Sequence, residues 1–283
     1  VLTQTSKNSQ YFSSLKGVWI IIIALVYFVY KDFLLEINKE LYVWALFSGI
    51  LHGFYILSLS RAYKTEDISY VYPIARSAPV FVPLFAWVFL GEKLNLIILI
   101  AIGVIVIAIY MLHFEGKLIQ GSKNLLQAFY HNDLRWAFIT LALVVSYSLV
   151  DKKAMDMYLF YFPENPYVNG INFFFMEASI GFTLCNIFVF FKFPKIEILN
   201  YWRVDWLKGL LAAIATFASY SLICVVLQFE RLSTVVSLRQ VSILMVVYWG
   251  CWKLKEPFGR QRMLAGFLIL IGIILISLSD GHK

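Results

Sequence analysis

The sequence predicts an all-α integral membrane protein built from a duplicated unit. Composition, the spacing of apolar runs and two stretches that read alike carry this prediction. Of 283 residues, 61% are hydrophobic and 14% charged, against about 25% charged in a globular domain. So little polar surface cannot cover a water-facing exterior, and lipid must be the outer solvent. The apolar residues gather into nine segments near 15–34, 41–62, 69–90, 95–113, 135–152, 167–191, 206–228, 234–253 and 262–279. Crossing a bilayer takes about 20 residues each, so nine transmembrane helices are expected. Residues 65–94 and 229–258 share one order of features at an offset of 164, the separation of Glu92 from Glu256.

That offset lays Glu66 on Glu230, Ser69 on Ser233 and Val71 on Val235. Each copy opens with a short acidic loop and continues into a long apolar run. Each run carries one arginine, Arg76 or Arg239, where a bilayer puts hydrocarbon, and ends at an acidic turn. A repeated order of this kind points to a duplicated membrane protein with a site between its halves.

Along the chain, the first four segments are joined by the short loops KDFLLEINKE, KTED and GEKLN, which force neighbouring helices antiparallel. The longest polar interruption, EGKLIQGSKNLLQAFYHNDLR, is the natural seam. We therefore divide the chain into a first repeat at 1–114, an inter-repeat linker at 115–134 and a second repeat at 135–283. The second repeat holds five spans and the first holds four. The opening VLTQTSKNSQY resembles the exit end of the 135–152 span, SYSLVDKKAMDMY, with Val1 and Leu2 falling where Leu149 and Val150 sit. The expectation is a further helix ahead of Val1; the alternative is a nine-helix protein with a polar start. Five helices in each repeat would make the halves inverted in the membrane.

The net charge of +7 is spread over short loops rather than gathered into a stripe, which argues against a nucleic-acid partner. Cys185, Cys224 and Cys251 all lie within apolar runs and lack metal-ligand spacing. They read as small core residues, and no metal or other cofactor is expected.

The phrase ISYVYPIARSAPVFVPLFAWVFLGEKL, followed by IAIGVIVIAIYML, resembles the EamA-type transporters of the drug/metabolite transporter superfamily. Its counterpart SLRQVSILMVVYWGCWKLKEPFGRQRMLAGFLILIGIIL does so as well. The resemblance implies ten helices in two inverted five-helix repeats, a central cavity, and movement of small metabolites, usually outward. The chain departs from that pattern by lacking the first helix.

Ionisable groups within hydrocarbon cost roughly 2.5–3.5 kcal/mol each on insertion scales, so they persist mainly where they face a bundle interior. By span position these are His52, Arg76, Glu177 and Arg239. Pro73 frees backbone carbonyls, so Tyr72, Arg76 and Ser77 can form a polar notch on a cavity. Arg76 then either grips an anionic group, such as a substrate carboxylate, or is satisfied by nearby carbonyls or by Glu177. Arg239 and Gln240 hold the matching place in the second half, one residue out of register. Arg239 either lines the cavity or snorkels to the interface. Glu177 has two readings, an ion pair with an arginine or a proton-coupling carboxyl, and the available arginines favour the pair. His52 and Tyr55 align with Thr216 and Ser219, giving a polar stripe in each half. Trp202 and Trp206 read as an interfacial belt. Glu92 and Glu256, at span ends, read as solvated or as helix caps.

Orientation signals oppose each other. The loops bearing Lys7, Lys117, Lys195, Lys255 and Arg262 carry about twice the Lys and Arg of the other side, which would make that side cytoplasmic. The family resemblance implies that both ends of the full protein are cytoplasmic.

The function expected is a secondary transporter that exports a small polar metabolite by alternating access, with protons as a candidate coupling partner. It would be a multi-pass protein of the cell membrane, the inner membrane in a Gram-negative source, and not an enzyme. A lipid-linked substrate flippase is one alternative. A membrane-embedded enzyme acting on a lipid or isoprenoid carrier is another, but it would need clustered carboxylates or a nucleophile beside a base.

Overall fold

The structure, a computed structural model, describes residues 9–31, 38–65, 77–113, 135–241 and 259–280. Tyr72, Arg76, Cys251, Glu256 and the 115–134 linker lie outside the described residues.

Nine helices and no strand occur among the described residues. They are α1 (Ser9–Lys31), α2 (Lys39–Thr65), α3 (Ala78–Leu90), α4 (Leu96–His113), α5 (Arg135–Tyr161), α6 (Pro166–Lys192), α7 (Lys195–Leu227), α8 (Leu232–Leu238) and α9 (Gly259–Asp280). Each expected apolar segment overlaps one of them; of the 234–253 segment only residues up to 241 are described, and α8 covers its start. Four helical stretches, Ser9–Lys31, Lys39–Ala62, Pro166–Lys192 and Lys195–Leu227, are long and apolar enough to cross a membrane. Ala78–Leu90, Leu96–Ala108 and Met263–Ile276 are shorter apolar helices.

The helix ends follow from local chemistry. Asn38 and Asn95 cap the starts of α2 and α4, their side-chain oxygens accepting the Glu40 N–H at 3.0 Å and the Ile98 N–H at 2.8 Å. Such caps satisfy amides that have no partner within the helix. Pro79 and Pro166 stand in first turns, where a missing N–H costs nothing. Gly91 closes α3 in the left-handed conformation, φ 70°, donating its N–H to the Ala86 carbonyl. Helix α7 starts well before the expected 206, because a turn at Asp205 (φ −105°, ψ 15°) joins a leading segment to the span proper.

The chain forms two compact units, Val1–Lys64 with Ser146–Phe229, and Thr65–Val145 with Glu230–Lys283. Neither is a sequence repeat. The first unit takes α1 and α2 from the first half and α6 and α7 from the second, with most of α5. The second takes α3 and α4, then α8 and α9. The breaks after Lys64 and Phe229 fall at matching places in the repeat, to within one residue.

In the first unit, Tyr11, Cys185, Val189 and Ile198 form a core joined by Phe188, Phe190 and Trp202. Trp202 stands edge-on to Phe190 at 5.5 Å, whereas Trp206 is largely exposed. Cys185 and Cys224 are both buried thiols. Phe160, Phe191 and Val204 stand almost fully exposed, as lipid-facing side chains do. The second unit buries Ala101, Ile105 and Ala108 of α4 against Ile269, Ile273 and Ile276 of α9. Both sets recur at three- and four-residue intervals, the apolar stripe of a packed helix.

Candidate functional site

The first unit gathers its buried polar groups where α2 meets α6. Glycines bring the two helices into backbone contact. A methyl group added to Gly49 would stand 2.6 Å from the Glu177 carbonyl oxygen; one on Gly181 would stand 2.9 Å from the Gly49 carbonyl and 3.3 Å from the His52 Cβ. Gly53 lies one turn beyond Gly49 and touches the Gly181 carbonyl in the same way. Small residues spaced four apart are how membrane helices approach closely without clash.

That approach sets side chains of α2 against those of α6. Ser48 and His52 share a face at a four-residue spacing. His52 Nδ1 lies 2.6 Å from Glu177 Oε2. Ser48 Oγ lies 3.2 Å from the same Glu177 oxygen and 3.3 Å from His52 Nδ1. Helix α5 adds a second carboxyl, for Ser48 also donates to Asp151 Oδ1. Helix α7 supplies Tyr220, whose hydroxyl donates to Asp151 Oδ2 at 2.6 Å. Aromatic rings enclose the imidazole, with Tyr147 stacked on it at 3.8 Å and Tyr220 edge-on at 5.3 Å. Asp151 is 0% exposed, Glu177 2%, and the His52 side chain 12%.

The polar partners of the two carboxyls, among the described residues, are Ser48, His52 and Tyr220. None is a lysine or arginine. Lys152, next to Asp151 in sequence, turns away to bind Asp156 at 2.7 Å and the Leu227 carbonyl at 2.8 Å. An unpaired ion buried in a low-dielectric interior costs several kcal/mol. The hydrogen-bonded chain Tyr220–Asp151–Ser48–Glu177–His52 meets that cost with donors that themselves carry exchangeable protons. Donor atoms of His52, Asp151 and Glu177 lie within 4.8 Å of one another. The imidazole Nδ1 faces the Glu177 carboxyl at hydrogen-bond distance.

Of the expected site residues, His52 and Glu177 meet here, and Tyr55 stands 6.3 Å from the imidazole, edge-on. Among the described residues the partners of Glu177 are His52 and Ser48; Arg76, one of the two arginines expected to pair with it, lies outside them. Ser219 is exposed on α7, where the next residue, Tyr220, reaches the carboxyls. Thr216 bonds its own helix at the Ala212 carbonyl. Ser77, Arg239 and Gln240 belong to the second unit. Ser77 is buried just ahead of α3, and Arg239 is half-buried in the turn after α8. Gln240 is 4% exposed; its amide nitrogen reaches the Val236 carbonyl at 3.3 Å, and its oxygen has no partner among the described residues.

Three members of the group escaped the sequence reading. Asp151 was placed at the edge of a span ending at 152, but α5 runs on to Tyr161. The usable signal was periodicity: Tyr147, Asp151, Ala154, Met155 and Tyr158 are all buried on one stripe, while Lys153 and Asp156 are exposed. Ser48 and Tyr220 gave no such signal, since either residue is ordinary in an apolar helix.

A separate cavity of about 220 Å³ opens in the same unit beside the start of α6, lined by Tyr27, Lys31, Asn165, Asn169 and Asn172 among others. It shares no lining residue with the carboxyl group. Tyr27 donates to the Asn172 side-chain oxygen at 2.8 Å, and Asn169 donates to the Gln228 oxygen at 3.0 Å.

Comparison with curated proteins returns no match. The model of the EamA-like transporter family matches twice, at residues 5–114 and 135–278. Together with the apolar helices this makes the chain a multi-pass membrane protein, and the two matches take in most of its length. The chain belongs to the EamA-like transporter family.

Proposed function

We propose that the chain is a secondary transporter that carries a small polar metabolite out of the cell, alternating access between two inverted five-helix repeats in the cell membrane. The carrying observation is the Ser48–His52–Asp151–Glu177 group, buried where four helices of a membrane-embedded unit meet. Polar groups at such depth are costly and mark substrate or ion pathways. The two family matches support a repeat origin, and inverted repeats are the usual basis of alternating access. Export is what the resemblance to the EamA-type transporters implies.

Counterflow in liposomes holding the full chain, with a panel of radiolabelled polar metabolites, tests the proposal. Saturable exchange of at least one compound, lost in Glu177→Ala, is the expected result. No exchange across the panel, together with transbilayer movement of a lipid-linked saccharide, would replace it with a flippase. Metal-dependent turnover of a lipid or isoprenoid carrier would replace it with an enzyme.

A further inference from the structure

We infer that the coupling ion is the proton, carried by Asp151 and Glu177 as one unit bridged by Ser48, with His52 as its outer member. This rests on the transporter reading, and extends it to a residue pair and an ion.

Three geometric facts lead there. The first is charge. The two carboxyls have no lysine or arginine partner among the described residues. The group holds two carboxyls and one imidazole, so its net charge changes only as protons enter or leave. The titratable side chains that face it are His52 and Tyr55 from α2, Asp151 and Tyr147 from α5, Glu177 from α6 and Tyr220 from α7. Lys152 of α5 is directed to Asp156 and the Leu227 carbonyl instead.

The second is the hydrogen count at Ser48. Its hydroxyl has one hydrogen and stands between Asp151 Oδ1 and Glu177 Oε2. A serine can donate once and accept from the other side. Both contacts are good hydrogen bonds only when one carboxyl supplies a hydrogen of its own. The bridge is therefore a slot for one proton: as Ser48 passes its own hydrogen to Asp151 Oδ1 it takes one from Glu177 Oε2, which moves the proton from one carboxyl to the other and leaves the hydroxyl directed to Glu177.

The third is the gradient of access. The two carboxyls are buried while the His52 side chain is 12% exposed, so the imidazole is the most accessible member of the group. A proton taken up at the imidazole passes to Glu177, then through Ser48 to Asp151, and an equal proton leaves when the group is exposed to the other side. Only O–H and N–H bonds form and break, and the group is regenerated each cycle. Inward movement of the proton drives the metabolite outward. The Gly49–Gly181 contact leaves no slack around the group, so a change in its charge must be felt by helix packing.

Proton release on substrate addition, followed with a pH-sensitive dye at low buffer strength, tests this on the full chain in nanodiscs. The wild type is expected to release about one proton per metabolite bound, as linkage requires of a shared site. Asp151→Asn and Glu177→Gln should each abolish the release, while Asp156→Asn, at the Lys152 surface pair, should retain it. Infrared difference spectra on pH cycling provide a second measurement independent of substrate. They should show one carboxylic-acid carbonyl band, removed by either of the first two substitutions. If the wild type transports saturably but releases no proton and ignores a pH gradient, proton coupling falls and the transporter reading stands. If the carboxyl band titrates as described but nothing is transported, the transporter reading falls and the proton site stands. Release unchanged in both Asp151→Asn and Glu177→Gln would overturn the assignment. So would stoichiometric binding of Mn²⁺ or Zn²⁺ that Asp151→Asn removes.

Discussion

Glu92 and Glu177 are both glutamates of a membrane protein, one in the turn after α3 and one within α6, and they are held differently. In the second unit, the Glu92 carboxylate accepts the Leu232 N–H at 2.5 Å, the Ser233 N–H at 3.3 Å and the Ser233 hydroxyl at 2.6 Å. It ties the turn after α3 to the first turn of α8 through two backbone amides and one hydroxyl. In the first unit, Glu177 is held by His52 and Ser48, groups that can exchange the proton they offer. Two backbone amides among its donors make Glu92 a structural joint. The imidazole beside Glu177 can take up and release a proton, which is what the proposed coupling site needs. Side-chain type does not separate the two roles, but the chemistry of the partner does.

Substitutions can break this comparison at four points, from the strongest expected effect to the weakest. Glu177→Ala should be the most damaging, because it leaves His52 without its carboxyl partner. Removing one side of a buried polar pair costs about 3–5 kcal/mol. Thermal unfolding in detergent should show the loss, and counterflow should vanish with it. Stability equal to wild type would mean that the group carries no charge to be compensated.

Next comes Gly49→Val, which forces side-chain atoms into the Glu177 carbonyl and Ile180. Overpacking of this kind costs about 1–3 kcal/mol. Transport should fall further than stability does, because the substitution also separates His52 from Glu177. A fully active Gly49→Val protein would show that the helix contact does not position the site.

Glu92→Ala should cost about 1 kcal/mol, in the range of a lost helix cap. Its pH–rate profile for transport should keep the wild-type shape, in contrast to Glu177→Gln, whose profile should flatten. A flattened profile in Glu92→Ala would erase the distinction between the two glutamates. The smallest effect belongs to the pairing of Lys152 with the exposed Asp156, separated from the Lys152 bond to the Leu227 carbonyl by combining Lys152→Gln with a change at Asp156. Surface pairs contribute about 0–1 kcal/mol, and a double-mutant cycle with Asp156→Asn would measure it.

Much of this was legible in the residues. Apolar runs announced the helices because a bilayer admits few other spanning elements. His52 and Glu177 stood out because charge at hydrocarbon depth is expensive. Glu92 was read as solvated or capping, and the structure shows a cap, though on α8 rather than on the helix that follows it. The arginine partner expected for Glu177 came from counting charges along the chain; the structure puts His52 beside it, and Arg76 lies outside the described residues. Asp151 was hidden because the span was closed at its first charged residue, although burial continues to Tyr158.

The sequence by itself determined the solvent, the helical class, the duplication and the family, since each is written in composition and order along one chain. Only the tertiary structure decided the company each side chain keeps. It built each compact unit from helices of both halves, because a membrane helix buries its small-residue face against whichever neighbour fits it. It also joined Ser48, His52, Asp151, Glu177 and Tyr220, which lie far apart in sequence, because Gly49, Gly53 and Gly181 let two backbones meet. Hydrocarbon prices each polar residue singly, position by position; contact between helices determines whether that residue is paired, and with what.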